Sequence, residues 1–566
     1  MEGIPRRKFL SSLMSFPVLL TSHKSFSQYN EAYSHLRSWD KTEFRKYSTW
    51  IEHIYEMKQN GTSKQKMSRL NSIFGDSEMD LLSNSDFLEY GNPTLSQSER
   101  NIINSFTHCG NFPKIMLLYY SYRRGLPASV SKIKMEKGSD IRYSHGNHAV
   151  SVVYSMPFNG DFLEFFLQGT TYRGGGYNFV SGNFRTAPFL ENTDSVPIKI
   201  SREFLIPGTM AYNANGHCLL VVKVDDSGEV HFLDSHPDHS ITFNQTLSAI
   251  PVINSFDGSD TDLKRSFDGF RAMRLSKLEN ERVRYFTNEE MEEFGFSIEQ
   301  YEKMDEIREA NGILINGVNV HTFPEFVIAS LKLSKENPLE FLTKSVRELG
   351  DMFREREAFV QEAWQNVLSY GPIVFPNNSS NENIYQATGR WEVWSSPSSD
   401  IDRRNKYDYM VKRLEEMVEG FPNDGRFDYN GFKSREELVD AIFELKDRLF
   451  SLEVIEYRHS SNKIFLLDLR DVEHRLFDLS FNPNHPPELR WGSPVGSNER
   501  ENMNLFKIQV RTGEVLDALE IYDLERGLRY YNERQTTPSY LDNSKNPTTP
   551  PFRLMNVRLS DLLKGE

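Results

Sequence analysis

Residues 107–120 read THCGNFPKIMLLYY and specify the central helix of the predicted fold. Cys109, one of only two cysteines in the chain, stands just before an apolar run that has Pro113 near its start. Proline is favoured in the first turn of a helix, where its missing N–H leaves no hydrogen bond unmade. Gly125 follows the run and favours the end of a helix. The pattern predicts a buried helix with a thiol at its amino-terminal end.

The thiol of Cys109 needs more than this helix to become a nucleophile. Free backbone N–H groups and the helix dipole favour the thiolate, but the dipole contributes only about 0.3–1 kcal/mol, which is less than one pKa unit. A thiol with an ordinary pKa of about 8.5 is ionised only to a few per cent at neutral pH. A histidine partner is therefore required.

A predicted hairpin supplies that histidine. The sequence GHCLLVVKVDDSGEVHFLD spans residues 216–234, and its two β-rich runs are separated by turn residues at 225–228. In this hairpin Leu219 faces Asp234 across the strands, and His217 lies on the same face. Side chains at such diagonal positions can meet. Asp234 could then hold the His217 imidazole in the tautomer that a general base needs.

Cys109, His217 and Asp234 are therefore the predicted catalytic residues, as nucleophile, base and orienting acid. The alternative is structural, because a lone cysteine in apolar surroundings is usually an inert buried thiol. Cys218, the second cysteine, is expected to be of this structural kind. Three other histidines are alternative bases, namely His108, His145 and His148.

These motifs resemble the bacterial papain-like cysteine hydrolases over about residues 100–275. A cysteine at a helix start, Pro-Gly-Thr at residues 207–209 and a Gly-His pair opening the next strand are similar to the NlpC-type cell-wall peptidases and CHAP-type amidases. The spacing of His217 and Asp234 is more similar to the transglutaminase-like branch. The resemblance implies an α+β core, in which a helix packs on an antiparallel sheet, and cell-wall peptides or other secreted peptides as substrates.

Residues 1–27 are interpreted as an export signal. RRKFL at residues 6–10 resembles the twin-arginine export motif, and the apolar run of residues 9–20 is too short to anchor the chain in a bilayer. A plain secretory signal would lead to the same compartment. We therefore expect a bacterial protein that is periplasmic or secreted and meets the membrane only transiently during export.

The length and charge of the chain limit its organisation and partners. A chain of 566 residues is too long for one core, and its net charge of −14 argues against nucleic acid as a partner. Two cysteines exclude a disulfide framework. Neither a cofactor nor a metal is expected, and the expected partner is a peptide or peptidoglycan-like substrate. After the signal we predict a helical region (28–100), the papain-like domain (101–275), a mostly helical region (276–470) and a C-terminal region (471–566) with a mobile polar stretch (531–551).

Three further segments carry groups that could bind ligands. DSHPDH at residues 234–239 is dense in potential metal ligands, but a zinc site needs three or four ligands that converge, so a solvated turn is expected. FNPNHPPELRWG at residues 481–492 suits peptide or sugar recognition, or a linker. The glycine-rich residues 170–176 lack the spacing of a phosphate-binding turn and are expected to form a loop over the site.

The preferred interpretation is an exported cysteine hydrolase, an amidase or peptidase acting on amide bonds. One alternative is a non-catalytic exported binding or envelope protein on a papain-like scaffold. Another is a protein cross-linker with transglutaminase-like chemistry, in which an amine rather than water resolves the acyl-enzyme.

Overall fold

A computed structural model defines the fold of the protein. The residues that it describes are 37–66, 69–84, 92–134, 150–155, 162–163, 166, 177–178, 193–213, 217–236, 238–245, 269–280, 282–371, 394, 397–476, 478–480, 483–501, 508–509, 515–516 and 554–564. Several predicted features lie outside these residues, namely the export signal of residues 1–27, the loop of residues 170–176, the polar stretch 531–551, His145 and His148.

The described chain combines helices with sheets, and the predicted α+β class is confirmed. The helices are α1 (Lys41–Asn60), α2 (Ser63–Lys66), α3 (Leu70–Ile73), α4 (Gln97–Asn104), α5 (Phe112–Arg124), α6 (Asn288–Glu292), α7 (Glu299–Ala310), α8 (Phe323–Leu331), α9 (Pro338–Tyr370), α10 (Pro397–Glu419), α11 (Arg435–Leu452), α12 (Leu469–Arg475), α13 (Pro487–Arg490), α14 (Asn498–Glu501) and α15 (Met555–Lys564). Among the described residues, no helix has both the length and the apolar character needed to cross a bilayer.

The strands form one large antiparallel sheet and several smaller ones. They are β1 (Ser129–Lys134), β2 (Val150–Ser155), β3 (Tyr177–Asn178), β4 (Ser195–Pro197), β5 (Met210–Asn213), β6 (His217–Val224), β7 (Val230–Ser235), β8 (Ile241–Gln245), β9 (Gly269–Met273), β10 (Ser276–Glu279), β11 (Arg282–Tyr285), β12 (Ile313–Ile315), β13 (Val318–Val320), β14 (Val454–Arg458), β15 (Ile464–Asp468), β16 (Ile508–Gln509) and β17 (Val515–Leu516). The large sheet has the order β4-β9-β5-β6-β7-β8.

The predicted hairpin of residues 216–234 is present as strands β6 and β7. Leu220 pairs with Leu233, and a β-bulge interrupts the register between Val221 and Lys223. Continued by one residue, the register places Leu219 opposite Asp234, as predicted. Because β6 and β7 are antiparallel, the first residues of β6 and the last residues of β7 lie at the same end of the sheet.

Helix α5 has the predicted ends and packs on this sheet. Pro113 lies in its first turn, and Gly125 caps its carboxyl end with a φ of 66°. The helix contacts strands β6 and β9. Helix α1 packs beside α5, where the Tyr47 and Tyr120 rings lie edge to face at 5.1 Å. Nearly every side chain of α5 is buried, as expected for a helix that is covered by the sheet on one side and by helices on the other.

Buried apolar side chains form two clusters. The first is built on α1, α5 and the large sheet and extends to α8, which the sequence analysis assigned to the helical region after residue 275. The second is built on helices α9 to α12 with β14 and β15. The long helix α9 contributes to both clusters, with Met352 in the first and Leu342 and Phe353 in the second.

Candidate functional site

Cys109 lies in a turn between α4 and α5. The backbone N–H groups of Asn111 and Phe112 both donate to the carbonyl oxygen of His108, at 2.9 and 3.0 Å, and α5 begins at Phe112. The thiol therefore precedes the first helical turn and does not lie within it. Its side chain is half-buried.

Cys218 is fully buried at the start of β6. Burial raises the pKa of its thiol well above the ordinary value, and the nearby Cys109 and Asp234 raise it further. Such a thiol is a weak nucleophile at neutral pH, as expected for the structural cysteine.

Of the two other predicted catalytic residues, Asp234 is fully described and His217 only in its backbone. His217 pairs with Asn213 at the first position of β6, and its side chain lies outside the described part of the chain. Asp234 is fully buried, and its Oδ2 lies 3.7 Å from Nε2 of His236. The same Nε2 lies 2.8 Å from Oγ1 of Thr242. The pairing of His217 with Asp234 stays a prediction.

The expected solvated turn at residues 234–239 was wrong, because its side chains are largely buried. Asp238 is buried, and its Oδ1 accepts hydrogen bonds from the N–H and the hydroxyl of Ser240, at 3.0 and 2.6 Å. Its Oδ2 accepts a 2.7 Å hydrogen bond from Oγ of Ser399, at the start of helix α10. Helix α10 therefore covers this turn from one side.

The opposite side of the turn contacts the segment that carries Cys109. Nδ1 of His239 lies 3.1 Å from the carbonyl oxygen of Thr107, two residues before the cysteine. A carbonyl oxygen only accepts, so Nδ1 must carry the proton. Burial lowers the pKa of His239 and outweighs the opposing effects of the Thr107 carbonyl and Asp238. The uncharged imidazole therefore keeps an unprotonated Nε2.

His108, adjacent to the cysteine, has a different hydrogen-bond arrangement. The amide nitrogen Nδ2 of Asn111 lies 3.0 Å from the carbonyl oxygen of Phe106 and 2.8 Å from Nε2 of His108. Because the Phe106 carbonyl needs a donor, the amide orientation is determined, and Nε2 of His108 accepts the second hydrogen. The Asn111 side chain is buried, and its Oδ1 has no hydrogen-bond partner among the described residues.

The segment at residues 481–492 is not the recognition loop or linker that was expected. Its described part, from residue 483 onward, is buried and includes helix α13. Trp491 belongs to the second apolar cluster, and Glu488 contacts Nε2 of His459 at 2.9 Å. These side chains therefore have a structural role.

No metal site emerges from the described residues, among which no group of three or more His, Cys, Asp or Glu side chains is arranged to hold an ion. Comparison with protein-family models, with curated proteins and with solved structures finds no match. Function must therefore be argued from the site. What the described site offers is a half-buried thiol, a nearby imidazole with an unprotonated nitrogen and a buried amide oxygen in the next turn.

Sequence reasoning missed His239 as a partner of the cysteine turn. The DSHPDH motif was noticed, but only as a source of metal ligands. The motif lies at the end of β7, which is at the same end of the sheet as the start of β6. This position could have indicated that its histidines lie near the predicted site.

Proposed function

We propose that the protein is an exported bacterial cysteine hydrolase with a papain-like core, and that Cys109 attacks the carbonyl carbon of an amide bond. The observation that carries the proposal is the hydrogen bond between the Thr107 carbonyl and His239, because it holds the cysteine turn against the histidine-bearing end of the sheet. Cys109 is also the more accessible of the chain's two thiols.

The proposed reaction has two stages. An imidazole takes the proton of Cys109, the thiolate attacks, and the protonated imidazole donates to the leaving amine, which produces an acyl-enzyme. Water then resolves the thioester. The sequence assigns the imidazole to His217 and its orientation to Asp234. The substrate class, peptides of the bacterial cell wall, comes from the resemblance to cell-wall peptidases and amidases.

The reactivity of the thiol tests this proposal in the full chain. Iodoacetamide should modify Cys109 with a pH midpoint well below about 8.5, whereas Cys218 should remain unmodified in the folded protein. Peptide-level mass spectrometry distinguishes the two sites. Purified cell-wall peptides should be cleaved by the native chain and not by the C109A variant. An ordinary alkaline midpoint for Cys109 would contradict the proposal.

One observation favours a non-catalytic binding protein on the same scaffold. The carboxylate of Asp234 is fully buried and lies 3.7 Å from His236, which suits a structural contact as well as an orienting acid. This second candidate predicts slow labelling of Cys109 and retention of the peptide without cleavage. Retention can be measured by isothermal titration of the same cell-wall peptides.

The resolving nucleophile separates a hydrolase from a cross-linker. A hydrolase should release a free carboxylate from the acyl-enzyme, whereas a transglutaminase-like enzyme should incorporate an added primary amine. Supplying a fluorescent amine together with a glutamine-containing peptide measures the ratio of the two products. We expect hydrolysis to dominate.

A further inference from the structure

We propose that His239, in the turn between β7 and β8, is the base that takes the proton of Cys109. This inference rests on the proposed cysteine chemistry and refines it, because it assigns the base to a histidine other than His217. Three features of the site carry it: the tautomer of His239, the engagement of the neighbouring histidines and the fixed position of the turn.

The first feature is a hydrogen bond from Nδ1 of His239 that leaves Nε2 unprotonated. Nδ1 of His239 donates to the Thr107 carbonyl at 3.1 Å, so the lone pair resides on Nε2. Nε2 has no hydrogen-bond partner among the residues that the structure describes. Two residues of chain span at most about 7 Å, so the contact at Thr107 keeps this imidazole near the sulfur of Cys109.

The second feature is that the competing imidazoles have other partners. Nε2 of His108 accepts a hydrogen from Asn111 at 2.8 Å, which leaves its lone pair occupied. Nε2 of His236 lies 2.8 Å from the Thr242 hydroxyl, and that side chain is buried within the sheet. Of the histidine side chains described around the cysteine turn, His239 is therefore the one whose Nε2 lone pair is not engaged by a described residue.

The third feature is the rigidity of the turn. His239 has a φ of 64°, a left-handed conformation that is uncommon outside glycine, although histidine adopts it more often than most residues. The neighbouring Asp238 is fixed by three hydrogen bonds, two from Ser240 and one from Ser399. Backbone strain of this kind persists only where the surrounding contacts enforce it, and it often accompanies functional sites.

The buried amide of Asn111 leaves one acceptor next to the cysteine turn without a partner among the described residues. Both hydrogens of its Nδ2 are used, whereas Oδ1 is buried and has no partner in the described part of the chain. A substrate amide N–H that reached this oxygen would satisfy it. An unsatisfied buried acceptor costs about 1–3 kcal/mol, and a bound substrate would recover that cost.

The charged groups around His239 set the pH range of its action. Burial lowers its pKa, Arg69 and His108 lower it further, and the Thr107 carbonyl and Asp238 oppose that change. His239 is therefore uncharged at neutral pH and ready to accept a proton.

The proton moves from the Cys109 sulfur to Nε2, a C–S bond forms as the C–N bond breaks, and Nε2 returns the proton to the leaving amine.

The variant H239N tests the assignment with little disturbance of the backbone. Asparagine tolerates a positive φ, and its amide can still donate to the Thr107 carbonyl, but it cannot take up a proton. The labelling rate of Cys109 with iodoacetamide should fall about 100-fold near pH 6.5, because a thiol with a pKa of about 8.5 is only about 1% ionised there. The exposed-site control H321N should retain the wild-type rate.

Chemical rescue separates a base from a structural residue. The variant H239G also accepts the positive φ, and it leaves space for free imidazole. Added imidazole should restore Cys109 labelling in H239G and leave the labelling of H321N unchanged. Circular dichroism and the thermal midpoint of each variant check that the fold is retained.

The outcomes distinguish this inference from the proposed function. If the wild-type thiol labels at acidic pH, but H239N matches it while H217N loses the effect, the base is His217 and only the inference fails. If the wild-type thiol itself shows an ordinary alkaline midpoint, the proposed cysteine chemistry fails as well.

Discussion

Oγ of Ser399 donates a 2.7 Å hydrogen bond to Oδ2 of Asp238 across the junction between the helical part of the chain and the large sheet. Ser399 lies in the first turn of helix α10, and Asp238 directly precedes His239 in the β7–β8 turn. The second apolar cluster is thereby connected to the candidate site. Residues that are distant in sequence from the cysteine therefore help to set the position of the imidazole beside it.

Removal of this hydrogen bond should weaken the site without abolishing it. We expect S399A to reduce the free energy of unfolding by about 1 kcal/mol and to lower the labelling rate of Cys109 several-fold, because the His239 turn is held less firmly. S451A is the matched control, since the Ser451 hydroxyl donates to the Arg448 carbonyl within its own helix turn and lies away from the site. Equal labelling of S399A and S451A would contradict the prediction.

Gly208 should tolerate no side chain, because its φ is +93° and an added Cβ would lie 2.4 Å from Cε1 of Tyr47. Gly317 provides the control, with a φ of +81° and no atom within 4 Å of the added Cβ. G317A should lower the free energy of unfolding by about 1–2 kcal/mol, because its backbone conformation is unfavourable for alanine. G208A should lower the free energy of unfolding by about 1–3 kcal/mol more than G317A does, because its added methyl group also overlaps Tyr47. Urea unfolding of both variants measures the difference, and equal costs would refute the close contact.

Glu348 on helix α9 should be important for stability. It is fully buried, pairs with Lys406 and accepts a 3.0 Å hydrogen bond from the Tyr55 hydroxyl. E348Q leaves the Lys406 charge buried without its counter-ion, so we expect a loss of about 3–5 kcal/mol in the free energy of unfolding. E306Q, which breaks the exposed pair with Lys303, should cost less than about 0.5 kcal/mol. Similar losses in both would show that the Glu348 pair is solvated.

Glu357 should make stability depend on pH around neutrality. Burial raises the pKa of its carboxyl from 4.5 to about 7, although Trp491 donates a 2.7 Å hydrogen bond to it. A raised pKa means that the folded state binds the proton more tightly than the unfolded state. The protonated Glu357 carboxyl therefore makes its full stabilising contribution to the free energy of unfolding below pH 4.5. This contribution is lost as the pH rises to about 7.

The variant E357Q should remove this dependence and be more stable than the wild type above pH 7, by about 1–3 kcal/mol. The glutamine oxygen can still accept the hydrogen bond from Trp491. E444Q, at an exposed position on α11, should leave the pH profile unchanged. Chemical unfolding at a series of pH values provides the measurement, and parallel profiles for wild type and E357Q would exclude the buried carboxyl as the cause.

Local signals explain why part of the fold could be predicted. Pro113 and Gly125 mark the ends of α5, and the turn residues after β6 set a hairpin whose register follows from alternation and turn length. These features depend on residues close together in sequence. The α+β class and the helix packed on the sheet therefore followed from the chain itself.

The parts that could not be predicted depend on contacts between distant segments. Thr107 and His239 are 132 residues apart, and no local pattern indicates their hydrogen bond. The burial of Asp238 depends on Ser399, which lies 161 residues further along the chain. The polar composition of this turn predicted exposure, and that of residues 481–492 suited a recognition loop or a linker. The ion pairs and hydrogen bonds that satisfy these groups form only in the folded chain.

Helix α9 supplies apolar side chains to both clusters and also contacts the amino-terminal helix α1, since Lys58 pairs with Glu355 at 3.5 Å. The two apolar clusters thus share helix α9 and are not joined only by a linker. A chain that stops before residue 338 would lack Glu348, which accepts a hydrogen bond from the Tyr55 hydroxyl, and Glu355, the ion-pair partner of Lys58. A shorter folded fragment must therefore include helix α9 and helices α10 and α11, which pack against it.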